Sequence, residues 1–333
     1  MVRPTGAFDL FRFRDLHPLA ALGTASDRYA GWIGQIYTPG RYDEKIKKRQ
    51  KTVAGRNFQE DVLPVESVSE YFDHFRVLEL DYTFYSTLLN EAGRPSPNHI
   101  VLESYCRYLK DDDRIIVKVP QVIFAQKVRQ GGAFQKNDNY LNPVVFVERF
   151  YKPAVDLIGT RLEAFIFEQE YQRKNERIPA SELASRLEAF FSRIPADERY
   201  HIELRTESYL AEPVFKVFEE FGIGQVLSHW TWLPPLSAQL AMSRWRFFNK
   251  GRRAVIRLMT PRGVRYEEAY AKASPFSELV DGMLDPRMIE DTVRIMQEAV
   301  KKGVFVNVIV NNRAGGNAPM IAQLVARRFL SSS

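Results

Sequence analysis

Eight short apolar runs, separated by stretches of helical periodicity, constrain this chain more than any other feature. The runs are Leu19 to Thr24, Arg76 to Leu80, Ile115 to Val119, Leu162 to Phe167, Tyr200 to Leu204, Gly224 to Ser228, Ala254 to Leu258 and Val304 to Val310. They are rich in Val, Ile, Leu and Phe and too short for buried helices, so they read as buried strands. Between them lie amphipathic patterns over Val65 to Phe75, Asn98 to Leu109, Val144 to Ile158, Ser181 to Ile194, Ala211 to Phe221, Pro286 to Lys302 and Pro319 to Leu330. Pro286 suits a first helical turn, and Gly222 and Gly303 stand where helix C-caps belong. Strands alternating with helices imply a parallel sheet, and eight is the number that closes a (β/α) barrel. An open dinucleotide-binding sheet would carry Gly-x-Gly-x-x-Gly after its first strand. Here that strand ends Gly23-Thr24-Ala25-Ser26-Asp27. The fold class expected is therefore a TIM-type α/β barrel, one domain over 1–333, with enlarged loops at 25–64, 120–143 and 229–253. The first two follow strands one and three and so belong over the C-terminal face.

Composition narrows the setting. A single cysteine, Cys106, allows no intrachain disulfide and sits on an expected helix as a core residue. The first residues interleave charge with apolar side chains, unlike a signal peptide, and no run approaches the roughly 20 apolar residues of a membrane span. The expected compartment is the cytoplasm, with no membrane partner. The net charge of +6 draws anions of any kind.

Barrel sites are built at the C-terminal ends of the strands. Read there, the chain offers Glu79, Lys118, Glu203, Arg205 and Arg257, all in or just beyond apolar strands. A lone charge in such surroundings is costly unless paired. The expectation is an interlocked set of two carboxylates and three cations whose surplus charge suits a small anionic ligand. Glu79 and Glu203 are the candidate acid and base, needing opposed environments. Arg205 and Arg257 offer planar forks for carboxylate or phosphate. Lys118 is a point charge, or a Schiff-base nucleophile if desolvated. Tyr85, Asn311, Asn312 and His229 lie at strand ends as further substrate contacts. Gly315, Gly316 and Asn317 open the last helix, where free backbone amides would hold an anion. His201 alternates with Ile202 and is expected to face the helices. With five histidines and no close ligand pair, no metal site and no cofactor is expected, a carboxylate-held Mg²⁺ apart.

Two other readings stand beside an acid–base enzyme, which would be a hydrolase, lyase or isomerase. The basic run Arg41 to Arg56 and the segment His229 to Arg253, with Trp230, Trp232, Trp245, Phe247 and Phe248 among five cations, suggest single-stranded nucleic-acid binding or a nuclease. Alternatively, the strand-end charges form a structural network in a barrel without catalysis. The sequence does not fix the oligomeric state.

The residues also carry a resemblance. Gly23-Thr24, Trp32 with Tyr37-Thr38-Pro39, Glu79 with Thr83-Phe84-Tyr85, Val117-Lys118-Val119-Pro120, Glu203-Leu204-Arg205, Arg257-Leu258, and Asn311-Asn312 with Asn317-Ala318 follow one another in the order of the YecE-like motifs. The chain resembles this family, also called domain of unknown function 72, over nearly its whole length. The resemblance implies a TIM barrel and no particular activity. The chain departs from it at Ala25-Ser26-Asp27, at Glu168-Gln169-Glu170 and at Ser228-His229, all around the mouth of the expected site.

Overall fold

A computed structural model describes residues 10–130 and 133–332. Its eight parallel strands close into a barrel: β1 Ala20–Ala25, β2 Val77–Leu80, β3 Arg114–Lys118, β4 Leu162–Gln169, β5 Tyr200–Leu204, β6 Gly224–His229, β7 Arg253–Leu258 and β8 Phe305–Val310. Each pairs with its neighbours in chain order, and β1 meets β8 with Leu22 opposite Val308. The strands fall within a residue or two of the eight apolar runs. The expected barrel is the observed one.

Strand alternation sorts the side chains into two cores. Leu22, Leu78, Val117, Phe165, Ile202 and Val308 lie in the large core between strands and helices. Ala21, Val77, Ile116, Ala164, Ile166, Val226, Val255 and Ile309 form a separate cluster inside the barrel. The inward series then continues toward the C-terminal ends as Glu79, Lys118, Glu168, Glu203 and Arg257, each two residues beyond an apolar member except Glu203, which follows His201. An apolar plug thus closes the barrel beneath a charged layer. His201 shares the parity of Glu203, not that of Ile202, so it faces the interior and corrects the expectation of a helix-facing histidine. Its ring lies where a Cβ on Gly224 would be, 2.1 Å away, and only glycine leaves that room.

The helices have local causes. Ser96 caps Pro97–Cys106 by accepting from His99 N at 3.3 Å, and Asp285 caps Pro286–Lys301 through Arg287 N at 2.9 Å. Gly222 ends Glu212–Phe221 in the left-handed region. The helix expected over 144–158 is broken into Pro143–Phe146, a π-helical Val147–Tyr151 and Lys152–Ile158. Pro153 has no N–H to return to Arg149, and the freed Arg149 carbonyl accepts from Leu88 and Leu89 N instead, each at 3.0 Å.

The three enlarged connections differ in kind. Residues 25–64 carry an antiparallel hairpin, Lys47–Val53 with Arg56–Val62, and residues 120–143 a second, Lys127–Gln130 with Ala133–Lys136. Both follow strand C-terminal ends, as expected. Residues 229–253 are instead the barrel's sixth crossover, with a helix at Leu236–Met242. Trp230 and Trp232 remain at the C-terminal face. Trp245, Phe247, Phe248, Arg252 and Arg253 lie at the opposite end, before β7. The aromatic and basic residues of that segment therefore do not form one surface.

Candidate functional site at the C-terminal mouth

The charged layer is a closed network around Arg257, which is fully buried. Its Nε and Nη2 donate to Glu79 Oε2 and Oε1 at 2.8 and 2.6 Å, a bidentate pair. Its Nη1 donates to Glu168 at 3.2 Å and also to Glu203. Arg205 joins Glu168 Oε1 at 2.7 Å and Glu203 Oε1 at 3.1 Å. Lys118 Nζ bridges Glu168 at 2.6 Å and Asp81 at 3.0 Å. Aromatic faces complete two of the cations: Lys118 Nζ lies 4.0 Å from the Phe84 ring centre, and Arg205 Cζ 5.0 Å from that of Trp230.

Alternation on the strands brings Glu79, Lys118, Glu203, Arg205 and Arg257 together, as their positions suggested. Two further carboxylates, Asp81 and Glu168, complete the set, making four anions against three cations. The surplus positive charge expected of the network is therefore absent. Both missed residues had signals in the sequence. Asp81 is two residues after Glu79, and Glu168 is two residues after Ile166, at the end of the fourth apolar run.

Electrostatics divide the network into a floor and a rim. Glu79 and Glu203 have no exposed surface. Burial pushes the Glu79 carboxyl up. For Glu203 burial also opposes ionisation, but Arg205, Arg257 and Lys118 prevail and bring it down to about 2. With their oxygens turned on Arg257 and Arg205, these two position the layer. Lys118 is desolvated, yet Asp81 and Glu168 hold its ammonium above the usual range. It is a fixed point charge, and the Schiff-base role does not fit. Asp81 is the network's outlet: its side chain is 29 % exposed, and Lys118 and Arg257 overcome burial to hold it well below the ordinary carboxylate range.

Asp81 lines a cleft of about 250 Å³ above β1, β2 and β8, roofed by the 47–62 hairpin. Asp27, Arg28, Tyr82, Tyr85, Asn311 and Arg313 line it too. Asp27 was not foreseen. It follows β1, and its Oδ1 accepts from the Tyr105 hydroxyl at 2.7 Å. Its Oδ2 is buried without a partner, and so is the Tyr82 hydroxyl. Burial pushes Asp27 up to about 6, against the pull of Arg28 and Tyr105. Burial also keeps the Tyr82 hydroxyl protonated far above its ordinary value. Arg28 stacks 5.8 Å from the Tyr105 ring centre and Arg313 4.4 Å from that of Tyr266. Neither makes an ion pair among the described residues. Glu60 instead pairs with both Arg49 and Lys51 of the hairpin.

The remaining expected residues fall in other places. Tyr85, 67 % exposed, and Asn311 face this cleft. Asn312 is buried as a clamp, its Oδ1 accepting from Trp32 Nε1 at 3.1 Å and Ala318 N at 2.8 Å. His229 is buried at the end of β6, its Nε2 unpartnered, and burial brings it down to about 4, so it is neutral at pH 7. The glycine segment does not offer an anion cradle. The Gly315 and Gly316 amides donate to the Asn312 carbonyl, and Asn317 caps Met320 N at 2.9 Å. A Cβ on Gly316 would meet the Glu278 carbonyl at 2.3 Å, so these glycines serve close backbone packing. Among the described residues no group of three or more His, Cys, Asp or Glu side chains is placed to hold a metal ion. Nor is any described helix long and apolar enough to cross a membrane.

A closed eight-stranded (β/α) barrel with a buried ion network opening into a polar cleft at its C-terminal mouth defines the class of protein. The chain belongs to the family described as "Protein of unknown function DUF72", whose model matches residues 21–332. YecE-like is another name for this family. It is similar to a DUF72 family protein from Thermotoga maritima, at 16% identity over 94% of this chain and 99% of that one, with a TM-score of 0.57. A DUF72 family protein from Enterococcus faecalis aligns at 13% identity over 94% and 96% of the two chains, with a TM-score of 0.54. At these identities the likeness is one of fold. No functionally curated protein matches the chain.

Proposed function

We propose that this DUF72 barrel is an acid–base enzyme acting on a small anionic substrate seated between Asp27, Asp81, Arg28 and Arg313. The observation that carries the reading is the pair of buried polar atoms, Asp27 Oδ2 and the Tyr82 hydroxyl, in a cleft flanked by two guanidinium groups, the former without hydrogen-bond partners and the latter without ion pairs among the described residues. Buried polar atoms are normally satisfied, and a ligand in the cleft satisfies these. Neighbouring carboxylates with opposed environments are a recurrent acid–base arrangement. Asp27, poised near neutrality, exchanges the proton. Asp81 stays ionised, and Tyr82 donates a hydrogen bond. Arg28 and Arg313 hold the substrate's carboxylate or phosphate in their planar forks. The buried layer of Glu79, Glu203 and Arg257 holds Lys118, and through it Asp81, in place.

The test is thermal unfolding of wild type, Arg313→Ala and Asp27→Asn with small carboxylates and sugar phosphates. A ligand at about 100 times its dissociation constant adds roughly 2.7 kcal/mol of stability. The expected shift is present in wild type and Asp27→Asn and lost in Arg313→Ala. With a ligand so identified, Asp27→Asn binds it without turning it over. If no anion gives a shift that depends on Arg313, the reading fails.

A further inference from the structure

The barrel's other end holds a second feature, remote from the acid–base cleft. At the N-terminal rim, Arg76 precedes β2, Arg114 opens β3, and Arg252 and Arg253 lead into β7. Their side chains surround a cleft of about 330 Å³, in which Glu163 is the one carboxylate. Glu163 is engaged: its Oε1 accepts from Arg253 Nε and from Asn307 Nδ2, each at 3.0 Å. The other three guanidinium groups have no carboxylate partner among the described residues. Arg114 Nη1 donates to the Asp111 and Asp113 carbonyls at 2.7 and 2.8 Å. Arg252 Nε donates to the Gly303 carbonyl at 3.1 Å, and its Nη2 to that of Lys302. Arg76 lies 5.4 Å from the Phe305 ring centre and makes no ion pair among the described residues.

Carbonyls and a ring face orient these forks without neutralising them. A guanidinium has five donors, so each retains N–H groups for a ligand. Three uncompensated forks converging from three parts of the rim make a mismatch that a compact, multiply charged oxyanion corrects. Such an anion accepts several charge-assisted hydrogen bonds at once. A singly charged carboxylate leaves most of the excess in place. We infer that the N-terminal mouth of the barrel is a binding site for a phosphate-type oxyanion, held by Arg76, Arg114 and Arg252 over the Glu163–Arg253 pair.

Isothermal titration of the full chain with inorganic phosphate and with pyrophosphate tests this at low ionic strength, with sodium chloride at matched ionic strength as the reference. The variants are Arg76→Gln, Arg252→Gln and, at the opposite mouth, Arg313→Ala. Among the described residues the Arg76 side chain makes no hydrogen bond, so its variant reads ligand binding without loss of structure; circular dichroism checks that. The expected result is a binding event of at least one probe that is weakened about tenfold in Arg76→Gln and in Arg252→Gln and that persists in Arg313→Ala, which removes only binding at the C-terminal mouth. Pyrophosphate binding tighter than phosphate identifies a phosphoanhydride or bisphosphate ligand. The reverse order identifies a single phosphoryl group, free or on a metabolite. Binding unaffected by Arg76→Gln, binding abolished by Arg313→Ala alone, or heats no larger than those of chloride overturn the inference. Because the variants sit at opposite mouths, failure here leaves the C-terminal reading untouched, and the converse holds.

Discussion

Replacing Asp27 by asparagine separates the proton on this residue from its place in the fold. Asp27 is 2 % exposed, and burial lifts its carboxyl from the ordinary 3.8 to about 6. A carboxyl raised on folding binds its proton more tightly in the native state than in the unfolded one. Its contribution is fully favourable below the unfolded value and is lost as pH rises from about 4 through about 6. At about 1.4 kcal/mol per pH unit, the ionised group costs the fold about 3 kcal/mol at pH 8. Asparagine keeps an oxygen for the Tyr105 hydroxyl and carries no charge. Asp27→Asn is therefore expected to be about 3 kcal/mol more stable than wild type at pH 8 and equal to it near pH 4. Urea unfolding at a series of pH values measures the difference. A gain that does not change with pH, or a loss of stability at pH 8, refutes the argument that Asp27 is held near neutrality by burial. Stabilisation on removing a charge is itself a mark of a group kept for function, since the fold alone does better without it.

Two further substitutions test the barrel. Arg257→Ala leaves Glu79 as a buried carboxylate without an ion-pair partner and Glu203 with Arg205 alone, and a loss of about 3–5 kcal/mol in denaturant unfolding is expected; the double variant Arg257→Met with Glu79→Gln should lose less, because the stranded charge goes with its partner. Gly23→Ala would place a Cβ 2.0 Å from the Val77 carbonyl on the neighbouring strand, so a loss of about 3 kcal/mol is expected from strands forced apart; a melting temperature equal to wild type would mean that β1 and β2 are not packed that closely.

The strands and the buried ion layer were legible because alternation is local. Val77-Leu78-Glu79 and Val255-Ile256-Arg257 place an apolar residue inside, one outside and a charge inside, and no tertiary knowledge is needed to see it. Asp27 was not legible. Its environment comes from Tyr105, on a helix many residues later, and its burial from the segment folding over β1. The glycines before the last helix misled for a related reason. Gly315-Gly316-Asn317 has the composition of an anion loop, but its amides are taken by the Asn312 carbonyl, an arrangement set by how Asn312 also holds Trp32 and Ala318. The helix at Leu236–Met242 was missed because it is seven residues long, follows Pro234-Pro235 and buries Gln239 beside its single apolar pair, Leu236 and Leu240. The chain reverses after it through Arg244 and Trp245, both at positive φ, and so carries the aromatics beyond it to the far end of the barrel.

The proposed acid–base chemistry needs two carboxylates of one cleft that ionise far apart. Carbon-13 NMR titration of the aspartate carboxyls, assigned with Asp27→Asn and Asp81→Asn, measures this directly. Asp27 is expected to titrate near pH 6 while Asp81 stays ionised well below the ordinary carboxylate range. Two carboxyls titrating together near the ordinary value of 3.8 would contradict that chemistry.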